Sequence, residues 1–220
     1  MEDLKKLTFG PETKFQKKFD NIDVSDFADG WQNIELPPPP KNNSETTKKE
    51  LEVIEKTMKN NDRKKVKQIR QQDKEFPGFE FLLGDVVKKD DPKIHKFLDD
   101  LKDQIFKICL FFKNKFKRPR PFQVAAKLGI PFEPVVSETA DSPSYPSGHA
   151  FGAYLTAAIL AEKFPEKINE LEKLAKQIAQ NRINAGVHFP SDVEAGKLLA
   201  KKVFPYYKKS KKLHFKEWLN

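Results

Sequence analysis

The stretch SYPSGHA, from Ser144 to Ala150, delivers a histidine to the front of the apolar run AFGAYLTAAILAEKF. If Gly148 starts a helix, the N–H groups of its first turn have no acceptor within the helix. Together with the Ser147 hydroxyl they converge on one spot suited to an anion. Glycine at 148 lets a ligand oxygen approach the backbone, and His149 stands beside it as a proton donor. A turn with a helix cap and an incidental histidine explains the same seven residues.

A second group lies in NRINAGVHFPSDVEAG, where Arg182 precedes His188 by six residues and Asp192 follows it by four. Across a turn, that step brings a carboxylate to the imidazole Nδ1–H, fixing the tautomer and leaving Nε2 to attack an electrophile. Asp192 also reads as a first-turn acid complementing a helix dipole. A third group, KNKFKRPRPF, sets Lys113 and Arg120 seven apart, with Pro119 and Pro121 holding Arg120 on a stiff scaffold. Basic residues after a helix also serve as dipole partners and solvated charge. Two isolated histidines and one carboxylate among three cations do not make a metal site, which wants three or four close ligands.

The elements that must position these groups all read as helices. TKKELEVIEKTMKNN follows the stiff polyproline segment ELPPPPK, with Thr47 and Glu50 at capping-box spacing. A polar helix is predicted from Arg63 to Gln72, and FPGFEFLLG (Phe76 to Gly84) reads as a buried connection. Asp91-Pro92 starts a long amphipathic helix with Ile94, Phe97, Leu98, Leu101, Ile105, Cys109 and Phe112 on one face. His95 on that helix reads as structural. It stops at RPRP, because proline removes a donor and restrains its predecessor. Helices are expected from Gly148 to about Phe164 and from Pro165 to about Asn184, with Asn184-Ala185-Gly186 as a left-handed stop. A last helix is expected from Ser191 and Glu194, a second capping-box pair, to about Val203. No stretch alternates convincingly as a strand, so the fold class is all-α. Residues 1–40 form an arm that its phenylalanines and Trp31 should pack onto a single globular unit, residues 41–220.

The 220 residues suffice for a sizeable core, and no run approaches the roughly 18 apolar residues of a membrane span. The N-terminus lacks an apolar signal-like segment, and the single Cys109 suits a reducing compartment and a buried, inert thiol. Both features lead to the expectation of a soluble, cytoplasmic protein. The net charge of +9 is concentrated: residues 41–70 carry ten Lys/Arg against five Asp/Glu, and the last twenty carry seven Lys against one Glu. Such surfaces suit anionic substrates or peripheral contact with an anionic membrane. The dominance of Lys over Arg and the lack of a groove-reading motif argue against a nucleic-acid partner.

Taken together, Lys-x6-Arg-Pro, Pro-Ser-Gly-His and Arg-x5-His-x3-Asp, in this order, resemble the signature of the type 2 phosphatidic acid phosphatase (PAP2) superfamily, which includes the vanadium haloperoxidases. Within it, LPPPP, RPRPF, SYPSGH and HFPSDVEAG make the chain most similar to the soluble bacterial class A non-specific acid phosphatases, over roughly residues 36–204. The resemblance implies a compact helical bundle and a metal-independent phosphohydrolase acting on phosphomonoesters. By the same resemblance, Lys113, Arg120 and Arg182, with Ser147 and the Gly148 N–H, would bind the phosphoryl oxygens. His188 would form a phosphohistidine, held by Asp192, and His149 would protonate the leaving oxygen. No cofactor is implied, and vanadate would bind as a phosphate analogue. A vanadium-dependent haloperoxidase, or a phosphatase for lipid phosphates or diphosphates, are the alternatives. Asn181 departs from the family's usual serine before the arginine, and substrate breadth stays open between small molecules and lipid phosphates.

Overall fold

The computed structural model describes residues 2–10, 28–74, 92–135 and 140–209, and every regular element among them is helical. Helix α1 (Glu2–Lys5) and a 3-10 turn at Trp31–Asn33 precede α2 (Glu45–Lys59) and α3 (Arg63–Lys74). The long α4 (Pro92–Phe116) and the short α5 (Pro121–Lys127) flank the Arg-Pro-Arg-Pro break. A bundle of α6 (Gly148–Lys163), α7 (Ile168–Asn184) and α8 (Pro190–Tyr207) follows, with a 3-10 turn at Pro165–Lys167 leading into α7. The fold is all-α, as the sequence predicts.

Helix α6 is apolar on nearly every face, and it is accordingly the central helix, packed against α7, α8 and α4. Phe151, Leu155, Ile159 and Leu160 meet Leu171, Ala175 and Ile178 of α7 and Leu199, Ala200 and Val203 of α8 in one core. The face predicted for α4 joins it through Phe97, Leu98, Leu101, Ile105, Cys109 and Phe112. Each such side chain fully removed from water contributes about 1.5–3 kcal/mol. Small residues let α8 approach closely: a Cβ on Gly196 would lie 2.6 Å from the Ser147 carbonyl oxygen and 3.0 Å from the Phe151 nitrogen. The core thus reaches directly under the Ser-Gly-His turn.

Several helix ends differ from the sequence reading. Ser44, not Thr47, caps α2, accepting from the Thr47 N–H, and Glu50 is carried inward instead. At α8 the capping acid is Asp192, which accepts from the Phe189 N–H at 2.8 Å, rather than the Ser191–Glu194 pair. Pro190 occupies the first position, where a missing N–H costs nothing. Helix α8 also continues past Val203 through Pro205 to Tyr207, because packing of Val203 and Tyr207 on the core outweighs one lost bond near the end. The polar helix α3 extends to Lys74, and Gly186 takes the left-handed φ of 73° expected past α7.

Part of the arm is described, and some of its side chains are buried. Trp31 is fully buried edge-on to Phe111, Leu36 is buried, and Tyr145 donates its hydroxyl to the Pro37 carbonyl. Phe15, Phe19, Phe27, Phe76 to Gly84 and the side chain of His95 lie outside the described residues.

Candidate active site

Each of the three sequence groups sits at a helix end, and the fold brings those ends together. Lys113 comes from the last turn of α4, and Arg120 is the N-cap of α5, with Pro121 next. The Gln123 side chain accepts from the Arg120 N–H at 2.8 Å, which anchors the backbone that carries the guanidinium. Ser147 caps α6 and accepts from the Ala150 N–H, placing Gly148 and His149 in the first turn. Arg182 lies in the last turn of α7, His188 in the following loop and Asp192 in the first turn of α8. All eight are buried, Lys113 at 4% exposure being the most accessible of the charged ones.

The histidine tautomer follows from one contact. Arg120 approaches Nε2 of His188 at 2.9 Å through Nη1. A guanidinium can only donate, so Nε2 holds a lone pair and the ring proton sits on Nδ1. Nδ1–H faces the Ser144 Oγ and the Asp192 Oδ2, each 3.5 Å away. Asp192 Oδ2 in turn accepts from Ser144 Oγ at 2.6 Å. The carboxylate therefore caps the helix through the Phe189 N–H and at the same time lies beside the imidazole.

Arg118 completes the support: its Nη1 donates to Asp192 Oδ1 at 2.6 Å and to Ser191 Oγ at 2.8 Å. Its Nη2 reaches Glu50 Oε2 at 3.2 Å, and the guanidinium stacks 3.9 Å from the Phe189 ring centroid. Glu50 Oε1 also accepts from the Ser191 N–H at 2.6 Å, tying α2 to the start of α8. Sequence reasoning missed Arg118, Glu50 and Ser144. Arg118 and Ser144 lay in full view, in the RPRP and SYPSGH runs. Nothing local marks Glu50, whose partners are 68 and 141 residues away.

Burial and mutual repulsion set the protonation states. Burial pushes His149 well below the usual imidazole range, and Arg182, His188, Arg120 and Lys113 add to that. His188 is lowered by burial and Arg120, against an opposing pull from Asp192. Burial, reinforced by Arg120, lowers Lys113 to about 7, and burial lowers Arg120 to about 10. Burial favours a neutral Asp192, but Arg118, His188 and Ser144 outweigh it and hold the carboxyl well below its usual range. The result is two neutral imidazoles amid buried cations, one of them backed by a permanent carboxylate. Such an arrangement attracts an oxyanion and offers it a nucleophilic nitrogen.

The cations rest on protein acceptors. Lys113 donates to the Pro143 carbonyl, and Arg120 donates to the Ser142 and Val187 carbonyls, each at 2.8 Å. Among the described residues no group of three or more His, Cys, Asp or Glu side chains is arranged to hold a metal ion. None of their helices is long and apolar enough to cross a membrane. Cys109 is buried, its thiol raised by that burial, with Sγ 3.9 Å from the Pro146 carbonyl beneath the Ser-Gly-His turn.

Residues 104–206, which hold all eight of these positions, match the PAP2 superfamily. That match makes just under half of the chain similar to the PAP2 superfamily. A non-specific acid phosphatase of Providencia stuartii is 30% identical over 118 residues, 52% of this chain and 46% of that protein. The non-specific acid phosphatase of Salmonella typhimurium is 43% identical over 54 residues, 24% of this chain and 22% of its own length. An acid phosphatase of Zymomonas mobilis is 35% identical over 88 residues, 40% of this chain and 33% of its own. The chain thus aligns with less than half the length of these relatives. In fold, the chain is similar to a transmembrane PAP2-type phosphatidylglycerolphosphate phosphatase of Bacillus subtilis, with a TM-score of 0.53. That likeness spans 81% of this chain and 90% of the other at 19% identity, and it bears on the fold alone.

Proposed function

We propose that this protein is a phosphohydrolase that cleaves phosphomonoesters through a phosphohistidine on His188. The observation that carries the reading is the Arg120–His188 contact, which leaves Nε2 as a lone-pair nitrogen inside a ring of buried cations. The incoming phosphoryl group takes the place of the internal acceptors on Lys113 and Arg120, and Arg182 adds a further donor. Ser147 and the Gly148 N–H add donors from the first turn of α6. Nε2 of His188 then forms a bond to phosphorus as the ester P–O bond breaks in line with it. His149, protonated in the complex, gives its proton to the departing oxygen. The extra positive charge on His188 is offset by Asp192, which Arg118 and Ser144 keep in place. In the second half-reaction His149 takes a proton from water, the water oxygen attacks phosphorus, and the P–N bond breaks to release inorganic phosphate.

Side-chain cations supply the electrostatic stabilisation, so the reaction needs no added metal, and vanadate occupies the site as a phosphate analogue. The exposed Arg63, Lys64, Lys67, Arg70 and Lys74 of α3 suit substrates or surfaces that bear phosphate. Hydrolysis of an aryl phosphate with EDTA present, with and without orthovanadate, tests the reading. Turnover that survives EDTA and is lost with vanadate is expected. Turnover that requires an added metal, or halide oxidation by peroxide with vanadate in place of phosphatase activity, would overturn it. Comparing small phosphomonoesters with lipid phosphates in mixed micelles then fixes the substrate class.

A further inference from the structure

Helix α3 belongs to none of the three motifs, yet it is the element that holds Arg182. Its sequence, RKKVKQIRQQDK, carries a single acid, Asp73, in a helix that is basic and polar apart from Val66 and Ile69. Lys65, Gln68, Ile69 and Gln72 recur at steps of three and four and so share one face, with Asp73 beside them. That face lies on the last turn of α7. Gln72 Oε1 accepts from Asn181 Nδ2 at 2.7 Å, Gln68 Oε1 lies 3.4 Å from the same nitrogen, and Lys65 Nζ donates to Asn181 Oδ1 at 3.2 Å. Asn181, the residue that departs from the family pattern, is thus engaged by α3.

Arg182 is held one residue further on. Its Nη1 donates to Asp73 Oδ1 at 2.8 Å and its Nη2 to the Ile69 carbonyl at 3.2 Å, with both charged side chains at least 95% buried. Its Nε–H meets no acceptor among the described residues. A buried, unpartnered N–H is costly, and an anion seated beside it would remove that cost. Asp73 and Ile69 hold both ends of the planar fork, so the guanidinium cannot rotate to satisfy Nε elsewhere.

We infer that Asp73 is a positioning residue for oxyanion binding: with the Ile69 carbonyl it fixes the Arg182 guanidinium and leaves the Nε edge for a phosphoryl oxygen. This inference rests on the phosphohydrolase reading for the identity of the anion, but not for the placement of Arg182. The alternative role for a carboxylate on this cation is competition, in which Asp73 occupies the place of the substrate and must leave. The two roles predict opposite signs.

The test uses the full chain and the variants Asp73→Ala and Asp73→Asn, with orthovanadate as probe. Positioning predicts that Asp73→Ala weakens vanadate binding by about tenfold or more, while Asp73→Asn, whose amide oxygen still accepts from Nη1, stays within about threefold. Tighter binding by either variant, or unchanged affinity in Asp73→Ala, would overturn the inference. A second readout is independent of phosphatase activity. The slowly exchanging Arg182 Nε–H signal in 15N spectra, assigned with Arg182→Lys, should broaden or vanish in Asp73→Ala and persist in Asp73→Asn. Its persistence in Asp73→Ala would overturn the inference. Wild-type protein that neither binds vanadate nor turns over an aryl phosphate would sink the phosphohydrolase reading, and the 15N arm would still decide whether Asp73 places Arg182.

Discussion

Arg118 donates to Asp192 across 2.6 Å, with 1% of one side chain and none of the other exposed. The same guanidinium reaches Glu50 and stacks on Phe189, so one cation links α2, the Arg-Pro-Arg-Pro break and the start of α8. His188 itself touches Asp192 only at 3.5 Å. The strong partner of the carboxylate is therefore Arg118, and the imidazole is steered by a group that is itself held.

Removing Arg118 leaves two buried carboxylates without their cation. Breaking a buried pair in this way costs about 3–5 kcal/mol. Arg118→Ala should lose that much stability in urea unfolding and at least about tenfold in kcat, through a displaced Asp192. Arg118→Lys keeps the charge but not the fork, and should fall between Arg118→Ala and the native protein. A loss below about 1 kcal/mol in the alanine variant would contradict this account.

The pH dependence has a definite sign. His149 has to carry a proton to act as an acid, and its lowered affinity means the protonated fraction grows only as pH falls. Lys113, lowered to about 7, loses its charge as pH rises through that value in the free protein. His188, also lowered, stays neutral and nucleophilic into the acid range. The first two effects favour acid and the third permits it, so kcat/KM should fall from about pH 5 to about pH 8. In Lys113→Arg the loss near neutrality should disappear, leaving the limb set by His149. A kcat/KM that climbs toward alkaline pH would contradict the assignment of His149.

Gly196 provides a test at a distance from the charges. A methyl there meets the Ser147 carbonyl oxygen at 2.6 Å, and backbone yields only by moving. Alanine gains about 1 kcal/mol of helix propensity, but overpacking of this kind costs about 1–3 kcal/mol and displaces the Ser147–His149 turn. Gly196→Ala should therefore weaken vanadate binding while leaving Tm lowered or nearly unchanged. Native vanadate affinity in this variant would show that α8 does not set the position of Ser147.

Much of this site was legible from residue type and spacing. Ser147, Gly148, His149, His188 and Asp192 announce their chemistry locally, because a helix start presents the same free N–H groups wherever it occurs. The amphipathic face of α4 was legible for a similar reason, since its period requires no knowledge of partners. What escaped the sequence was long-range pairing. Glu50 sits at capping-box spacing from Thr47, yet Ser44 caps the helix and Glu50 spends its carboxylate on Arg118 and the Ser191 N–H. Asp73 is one acid in a basic helix, and only the fold shows Arg182 across from it, 109 residues later. Capping chemistry depends on the exact turn, and here the competing acceptors were set by tertiary contacts.

The central claim is that His188 Nε2 forms the bond to phosphorus. The most direct measurement is rapid quenching of the protein with a 32P-labelled phosphomonoester, followed by mapping of the labelled residue in native protein, His188→Ala and His149→Ala. The account predicts an acid-labile, alkali-stable phosphohistidine at position 188 in the native protein and none in His188→Ala. In His149→Ala the label should form more slowly with a poor leaving group, and should persist longer because water lacks its base. Normal labelling of His188→Ala, or label on any other residue of the native protein, would contradict it.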